Sequence, residues 1–409
     1  MNEFMALDRN LKLRTLTTFI STLLTSSVLP NMTIYYTRYF GAGITGMLLV
    51  IVSILSFIAG LYGGHLADTY GRKPLMIFGN GMLTGGFALA ALMNSQLIKS
   101  PAITFCAFLI AGVGGALADP AQQAMMIDVS TPRNRQFVFA LLYWVNNIGV
   151  MIGTALGGWF FRDYLFQLLL ALVCGGAINL MIINFGMDET LKRAADKSGS
   201  VWSALHAYFG VLTDQRFVIF LSGYVASSII TNQPSYYLAV HLQEKFATIK
   251  MLGIEVYGQR MLSLFAIINT VMIVLLMSIF TAIGRHLNLR QEYSLGMGLQ
   301  TIGFAAAFLL QSFWPLVITA VVLTVGEMFT VPASQTLRAN IMNPARIGAY
   351  SGATSAVKPM AAIIAGSLLS ISGLLGQGGM AAAMLILGLL SIFLTNKSAR
   401  MPATFDSNY

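Results

Sequence analysis

The sequence predicts an all-α polytopic membrane protein, with 12 transmembrane helices in two six-helix pseudo-symmetric halves. Three observations predict it: an apolar composition, apolar runs of bilayer length, and polar punctuation that repeats. Of the 409 residues, 56% are hydrophobic and only 10% charged, and mean hydropathy is +0.73. A water-soluble domain of this length would need far more charge to cover its surface. Apolar stretches of about 18 residues or more recur along the chain, the length a helix needs to cross roughly 30 Å of hydrocarbon. Lipid offers the backbone no hydrogen-bond partners, so such stretches must satisfy themselves as helices.

The twelve spans fall at residues 13–37, 43–66, 74–94, 101–126, 136–160, 165–187, 213–238, 257–283, 291–311, 315–338, 348–371 and 377–396. The first is expected to act as the targeting segment, being too long for a cleavable signal peptide and lacking a small-residue cleavage site. The net charge of +9 could belong to a nucleic-acid binder, but its placement excludes that. With both termini cytoplasmic, seventeen Lys and Arg lie inside, six outside (Arg38, Lys99, Arg162, Lys245, Lys250 and Arg260), and Lys358 within a span. That is the positive-inside asymmetry, which sets orientation. Cys106 and Cys174 stand singly among apolar neighbours and read as packing. His65, His206, His241 and His286 lack metal-ligand spacing, so no metal or cofactor is expected.

The polar stretch 188–212 divides the chain into an N-terminal half, 1–187, and a C-terminal half, 213–409. The halves echo each other. Ser26-Ser27, Asn31 and Tyr35-Tyr36 return 201 residues later as Ser227-Ser228, Asn232 and Tyr236-Tyr237. Gly79, Gly81 and Gly86-Phe87-Ala88 return at +217 as Gly296, Gly298 and Gly303-Phe304-Ala305. Pro120-Ala121, Gln123 and Pro132 return at +212 as Pro332-Ala333, Gln335 and Pro344. The offset changes only in loops, as it should if a six-span unit was duplicated. Two six-span halves in parallel repeat describe a major-facilitator architecture, in which substrate binds near the midplane and the halves rock.

Between spans 2 and 3 the chain reads Gly63-Gly64-His65-Leu66-Ala67-Asp68-Thr69-Tyr70-Gly71-Arg72-Lys73-Pro74. The paired glycines suit close helix packing, Gly71 suits a positive-φ turn, and Pro74 suits a first helical turn. A generic basic turn would not explain Asp68, one helical turn before Arg72. This string resembles the signature loop of the major facilitator superfamily. The resemblance implies a conformational latch built from Gly64, Asp68, Gly71, Arg72 and Lys73, with a second acid at the foot of span 4, here Asp128. The second-half copy, Gly284-Arg285-His286 to Arg290, keeps bases but lacks the acid. Span 5 carries Gly149, Gly153 and Gly157-Gly158 at helical spacing, which reads first as close packing. It also resembles the span-5 motif of the drug/proton antiporter branch, with Thr154 where that branch has proline.

Ionisable groups within the membrane are costly and mark function by default. Mid-membrane positions hold Asp119, Glu327 and Lys358. Glu327 lies roughly 18 Å into span 10 by helical rise, near the midplane. Asp119, on the repeat mate of that span, shares the register of Val331, about one turn closer to the cytoplasm. A carboxylate there can exchange a proton as its surroundings alternate between dry and wet, and a cationic substrate can compete for it. Lys358 is expected as a counter-ion. Tyr143, Asn146 and Asn147 on span 5, and Asn232, Gln233 and Tyr236 on span 7, are candidates to line the cavity. No phosphate loop, nucleophile elbow or zinc-protease motif occurs, so the chain is not read as an enzyme, and its energy comes from an ion gradient or the transport is passive.

End to end, the chain is similar to the proton-coupled multidrug exporters of lactic acid bacteria within the superfamily. The likeness runs through Asn2-Glu3-Phe4, Met32-Thr33-Ile34-Tyr35-Tyr36, Glu255-Val256-Tyr257-Gly258-Gln259-Arg260-Met261-Leu262 and Met342-Asn343-Pro344. It implies export of lipophilic, often cationic compounds from the cell in exchange for protons, by a monomer in the plasma membrane, with Asp68, Asp128 and Glu327 as functional acids. Three further acids of that group are replaced here by Leu142, Ser235 and Gly388, while Asp119 is an addition. Asp119 is therefore expected to carry part of the coupling. The alternative is a proton-coupled symporter or uniporter for a specific small metabolite.

Overall fold

The structure is a computed structural model that describes residues 7–131, 134–191, 210–251, 253–343 and 347–402. The first six residues, Pro132, Pro344 and 192–209 of the linker lie outside the described residues. The chain forms two compact units, one from residues 1–39 with 51–201, the other from 40–50 with 202–409.

α1 (Arg9–Tyr70) is 62 residues long and turns at Gly41, where φ is +77°; it belongs to the first unit except for residues 40–50, which fall in the second. α2 spans Arg72–Leu92, α3 Pro101–Val129 and α4 Arg135–Met181, the last kinked at Tyr164 and ending in a π-helical turn, Ile182–Gly186. Asp8 caps α1 through the Asn10 N–H at 2.7 Å. The Asn10 side chain in turn exchanges two hydrogen bonds with the backbone of Asp188, fastening the start of α1 to the end of span 6. The glycine spacing of the sequence becomes contact here. A Cβ at Gly79 would meet the Gly114 carbonyl on α3 at 2.5 Å, and one at Gly86 would meet the Ala107 carbonyl at 2.5 Å. Backbones can approach this closely only without side chains between them. The span-5 glycines do the same work between α4 and α1: a Cβ at Gly153 would strike the Leu23 carbonyl, and one at Gly157 that of Ser27.

The second unit opens with α5 (Gln215–Thr231), capped by the Asp214 carboxylate, which accepts from the Arg216 and Phe217 N–H groups at 3.0 and 3.2 Å. The continuous seventh span expected over 213–238 is broken: a 3₁₀ turn, Gln233–Ser235, separates α5 from α6 (Tyr237–Lys245). Pro234 explains the break, since it has no N–H to give and disfavours helix in the residue before it. A short antiparallel hairpin follows, β1 (Ile249–Met251) pairing with β2 (Ile254–Val256). Then come α7 (Gly258–Gly284), α8 (Leu289–Ala307), α9 (Phe313–Ile341), α10 (Ile347–Ser355), α11 (Val357–Ser370) and α12 (Ser372–Arg400). The eleventh span is interrupted at Ala356, three residues ahead of Pro359, for the same reason as the seventh.

Among the described residues, eight helices are long and apolar enough to cross a membrane. Two of them, α1 and α4, each cover two predicted spans across a kink. Each of the predicted segments falls mainly on helix, the seventh and eleventh with the breaks described above, and apart from the β1–β2 hairpin the architecture is all-α. Cys106 and Cys174 are exposed on the protein surface rather than packed inside it.

Candidate transport site and charge cluster

The loop singled out in the sequence does assemble a charge cluster in the first unit. Arg72, with only 11% of its side chain exposed, places Nη1 2.6 Å from Asp68 Oδ1 and Nε 3.3 Å from Asp128 Oδ2. Nη1 also donates to the Ala67 carbonyl at 2.7 Å. One guanidinium thus joins the end of α1 to the foot of α3, using the fork geometry that lysine lacks. These are the ion pairs found among the described residues. Of the two glycines ahead of it, Gly63 is the tight one, against the Leu117 carbonyl; Gly64 has room, with Pro120 Cβ 4.0 Å from where its own Cβ would lie.

A further acid completes the cluster, and the sequence reading missed it. Glu189, just beyond span 6, accepts from the backbone N–H groups of Arg72 and Lys73 at 3.1 and 2.9 Å. It accepts as well from Thr190 and Leu191, both at 2.8 Å. Thr190 Oγ1 then donates to Asp128 Oδ2 at 2.9 Å. Glu189 is therefore a remote cap for α2, satisfying N–H groups that a helix start leaves orphaned. Partial burial pushes its carboxyl up, but the four N–H donors more than reverse this and hold it below the usual carboxylate range. Gly71 is obligatory twice over: its φ is +104°, and a Cβ there would lie 2.6 Å from the Glu189 carboxylate.

Higher in the first unit, Asp119 is exposed on α3 and accepts from Gln123 Nε2 at 2.8 Å. It lies within electrostatic reach of Arg14 on α1, a partner the sequence did not signal. On α4, Tyr143 is exposed, Asn147 donates to the Tyr143 carbonyl at 2.8 Å, and Asn146 accepts from Thr22 at 3.1 Å.

In the second unit Glu327 is the middle residue of the 29-residue α9. Its Oε2 accepts from Asn269 Nδ2, on α7, at 2.7 Å; the same nitrogen is 3.4 Å from Thr324 Oγ1. Lys358, the expected counter-ion, is exposed at the start of α11 and makes no ion pair among the described residues. Asn269 stands where that cation was expected. Its signal was an amide deep within the apolar run of span 8. The span-7 candidates divide. Asn232 is half-buried at the end of α5. Gln233 is fully buried and donates to the Ile229 carbonyl at 3.1 Å, and Tyr236 packs on Val225, Ile229, Val357 and Ala361. Gln233 thus serves the helix break rather than an open surface, while Tyr236 is half-buried.

A sequence model described as Major Facilitator Superfamily matches residues 15–366. A Na(+), Li(+), K(+)/H(+) antiporter of Planococcus maritimus is 29% identical over 365 residues, covering 85% of this chain and 86% of that protein. Multidrug resistance protein MdtH of Blochmanniella floridana is 27% identical over 333 residues, covering 80% and 77%. Among solved structures, peptide transporter POT in complex with sulfate superposes with a TM-score of 0.75 at 15% identity, over 96% of this chain and 95% of that one. That last likeness bears on the fold alone.

Proposed function

The chain belongs to the Major Facilitator Superfamily, a membrane transporter and not an enzyme, and from that premise we propose that it exports lipophilic, often cationic compounds in exchange for protons. It does so by alternating access in the plasma membrane, with both termini cytoplasmic. The observation that carries this reading is Glu327, held at the centre of a membrane helix by a neutral amide. A carboxylate paired with a lysine would be held in its ionised form by that cation. A carboxylate paired with an amide can be neutral when protonated or negative when not, so a proton and a cationic substrate compete for it. Asp119, hydrogen-bonded to Gln123 and facing the charge of Arg14, supplies a second protonatable position. The names of the relatives agree with export and with proton exchange.

The test uses inverted membrane vesicles, a fluorescent lipophilic cationic dye and an imposed proton gradient. Dye accumulation should collapse on adding a protonophore. Glu327→Gln should lower the driven rate by about a hundredfold, the scale of ~2.7 kcal/mol, and Asp119→Asn by about tenfold. Accumulation indifferent to the protonophore, or undiminished in Glu327→Gln, overturns the reading.

A further inference from the structure

Two oxygens of α9 converge on the Asn269 amide. Glu327 and Thr324 are three residues apart and share one helix face. The Thr324 hydroxyl has already given its proton to the Ala320 carbonyl at 2.7 Å. Thr324 therefore offers the amide only lone pairs, as does the ionised Glu327 carboxylate. The amide meets both with its donor nitrogen, at 3.4 and 2.7 Å.

A primary amide has a donor end and an acceptor end, and a half-turn exchanges them. Turned over, Asn269 would bring a carbonyl oxygen to the point where a carboxylate oxygen and a hydroxyl oxygen already face. Those oxygens repel unless something positive lies between them, either the proton of a protonated Glu327 or a bound cation. All three are hard donors, suited to alkali and alkaline-earth ions rather than to transition metals. Charge decides between those two. One carboxylate balances one positive charge, whereas a divalent ion would leave an uncompensated charge at mid-membrane. Calcium would also ask for about six to eight oxygens, usually with more than one carboxylate. Among the described residues no group of three or more His, Cys, Asp or Glu gathers anywhere that could supply them.

We propose that Glu327, Asn269 and Thr324 form an alkali-cation site, for Na+ or K+, in which ion and proton displace one another. This rests on the reading of Glu327 as the exchanging carboxylate, and adds the ion and its two neutral ligands. Protonated Glu327 donates to the turned amide, ionised Glu327 accepts from its nitrogen, and cation-bound Glu327 shares the ion with its oxygen. The Asn269 amide turns to suit each occupant. One proton leaves as one monovalent ion arrives, so the exchange at this carboxylate carries no net charge.

Purified protein in proteoliposomes loaded with a pH-reporting dye tests the proposal. Adding NaCl or KCl outside should alkalinise the lumen, while choline chloride should not, and clamping the membrane potential at zero should leave the rate unchanged. Glu327→Gln should abolish the response. Thr324→Val, which keeps the side-chain shape, should raise the half-saturating cation concentration about tenfold, and Asn269→Leu by at least as much. The half-saturating concentration of a lipophilic cationic dye, measured in the same liposomes, should move far less than that of the alkali ion. Dye–proton exchange without any response to NaCl or KCl overturns the cation site and leaves the export reading standing. Undiminished dye–proton exchange in Glu327→Gln brings down the export reading itself. Equal shifts for dye and cation in Thr324→Val overturn the assignment of that oxygen as an ion ligand.

Discussion

The α2–α3 pair of the first unit and the α8–α9 pair of the second are the same scaffold carrying different chemistry. Gly79 packs on Gly114, and its repeat mate Gly296 packs on Gly326; Gly86 packs on Ala107 and Ala111, and its mate Gly303 on Leu323. Gly81 and Gly298, also mates, both face open space. So the repeat preserves which glycines touch and which do not. The carboxylates, by contrast, are not copied. At the register of Glu327 the first unit has Gly115, and at the register of Asp119 the second unit has Val331. Backbone approach is a property of the duplicated fold, whereas charge has been placed separately in each copy.

The largest expected effect comes from forcing that shared contact apart. Gly79→Leu and Gly296→Leu should each lose folded protein, because the obstructing atoms are backbone and cannot swing away; overpacking costs about 1–3 kcal/mol even where side chains can yield. Gly81→Leu and Gly298→Leu should be silent. Size-exclusion profiles and melting temperatures in detergent would check all four, and a Gly79→Leu protein as stable as wild type would break the equivalence of the halves.

The Arg72 charge cluster is the sharpest difference between the copies. In the first unit Arg72 bridges two acids; at the second-unit turn the bases of Arg285 and Arg290 have no such pair among the described residues. Asp68→Asn should therefore slow dye transport by about tenfold, the scale of a coupling free energy, with dye binding by fluorescence retained. Arg285→Gln should fall within about twofold of wild type. Equal losses in the two variants would mean that the latch is two-sided.

What the sequence disclosed follows the range of the interaction. Most span positions, the packing glycines of spans 3 and 5 and the Asp68–Arg72 pair are written in local patterns and appear where they were expected. The break at Pro234 was equally local, yet the apolar run around it hid it. The partners brought from afar were invisible. Glu189 meets Arg72 across 117 residues and Asn269 meets Glu327 across 58, and no periodicity links positions so distant. Lys358 was paired with an acid on charge alone, but charge says nothing about which helix faces which. The repeat offered one clue that went unused. The span-3 offset sets Gly71 opposite Asn288, a good capping residue, and so implies that the first-unit turn must find its cap elsewhere.

That difference in capping is the subtlest one to break. Asn288 caps α8 locally, accepting from the Gln291 N–H at 3.0 Å while Gln291 reaches back to the Asn288 N–H at 3.3 Å. α2 instead borrows Glu189. Asn288→Ala should cost about 1 kcal/mol of stability and leave transport alone. Glu189→Gln should cost a similar amount but also slow transport, because the same segment holds Asp128 through Thr190. The two differ in their pH dependence. Glu189 is held below its ordinary value in the folded protein, so its contribution is complete above about pH 4.3 and fades as pH falls through the lower, folded-state value. The melting-temperature difference between wild type and Glu189→Gln should stay constant from neutral pH to about pH 5 and shrink below it. The corresponding difference for Asn288→Ala should stay flat throughout. A Glu189→Gln difference that does not change in acid would mean that the carboxylate charge is not what caps α2, and that the two turns are closed alike.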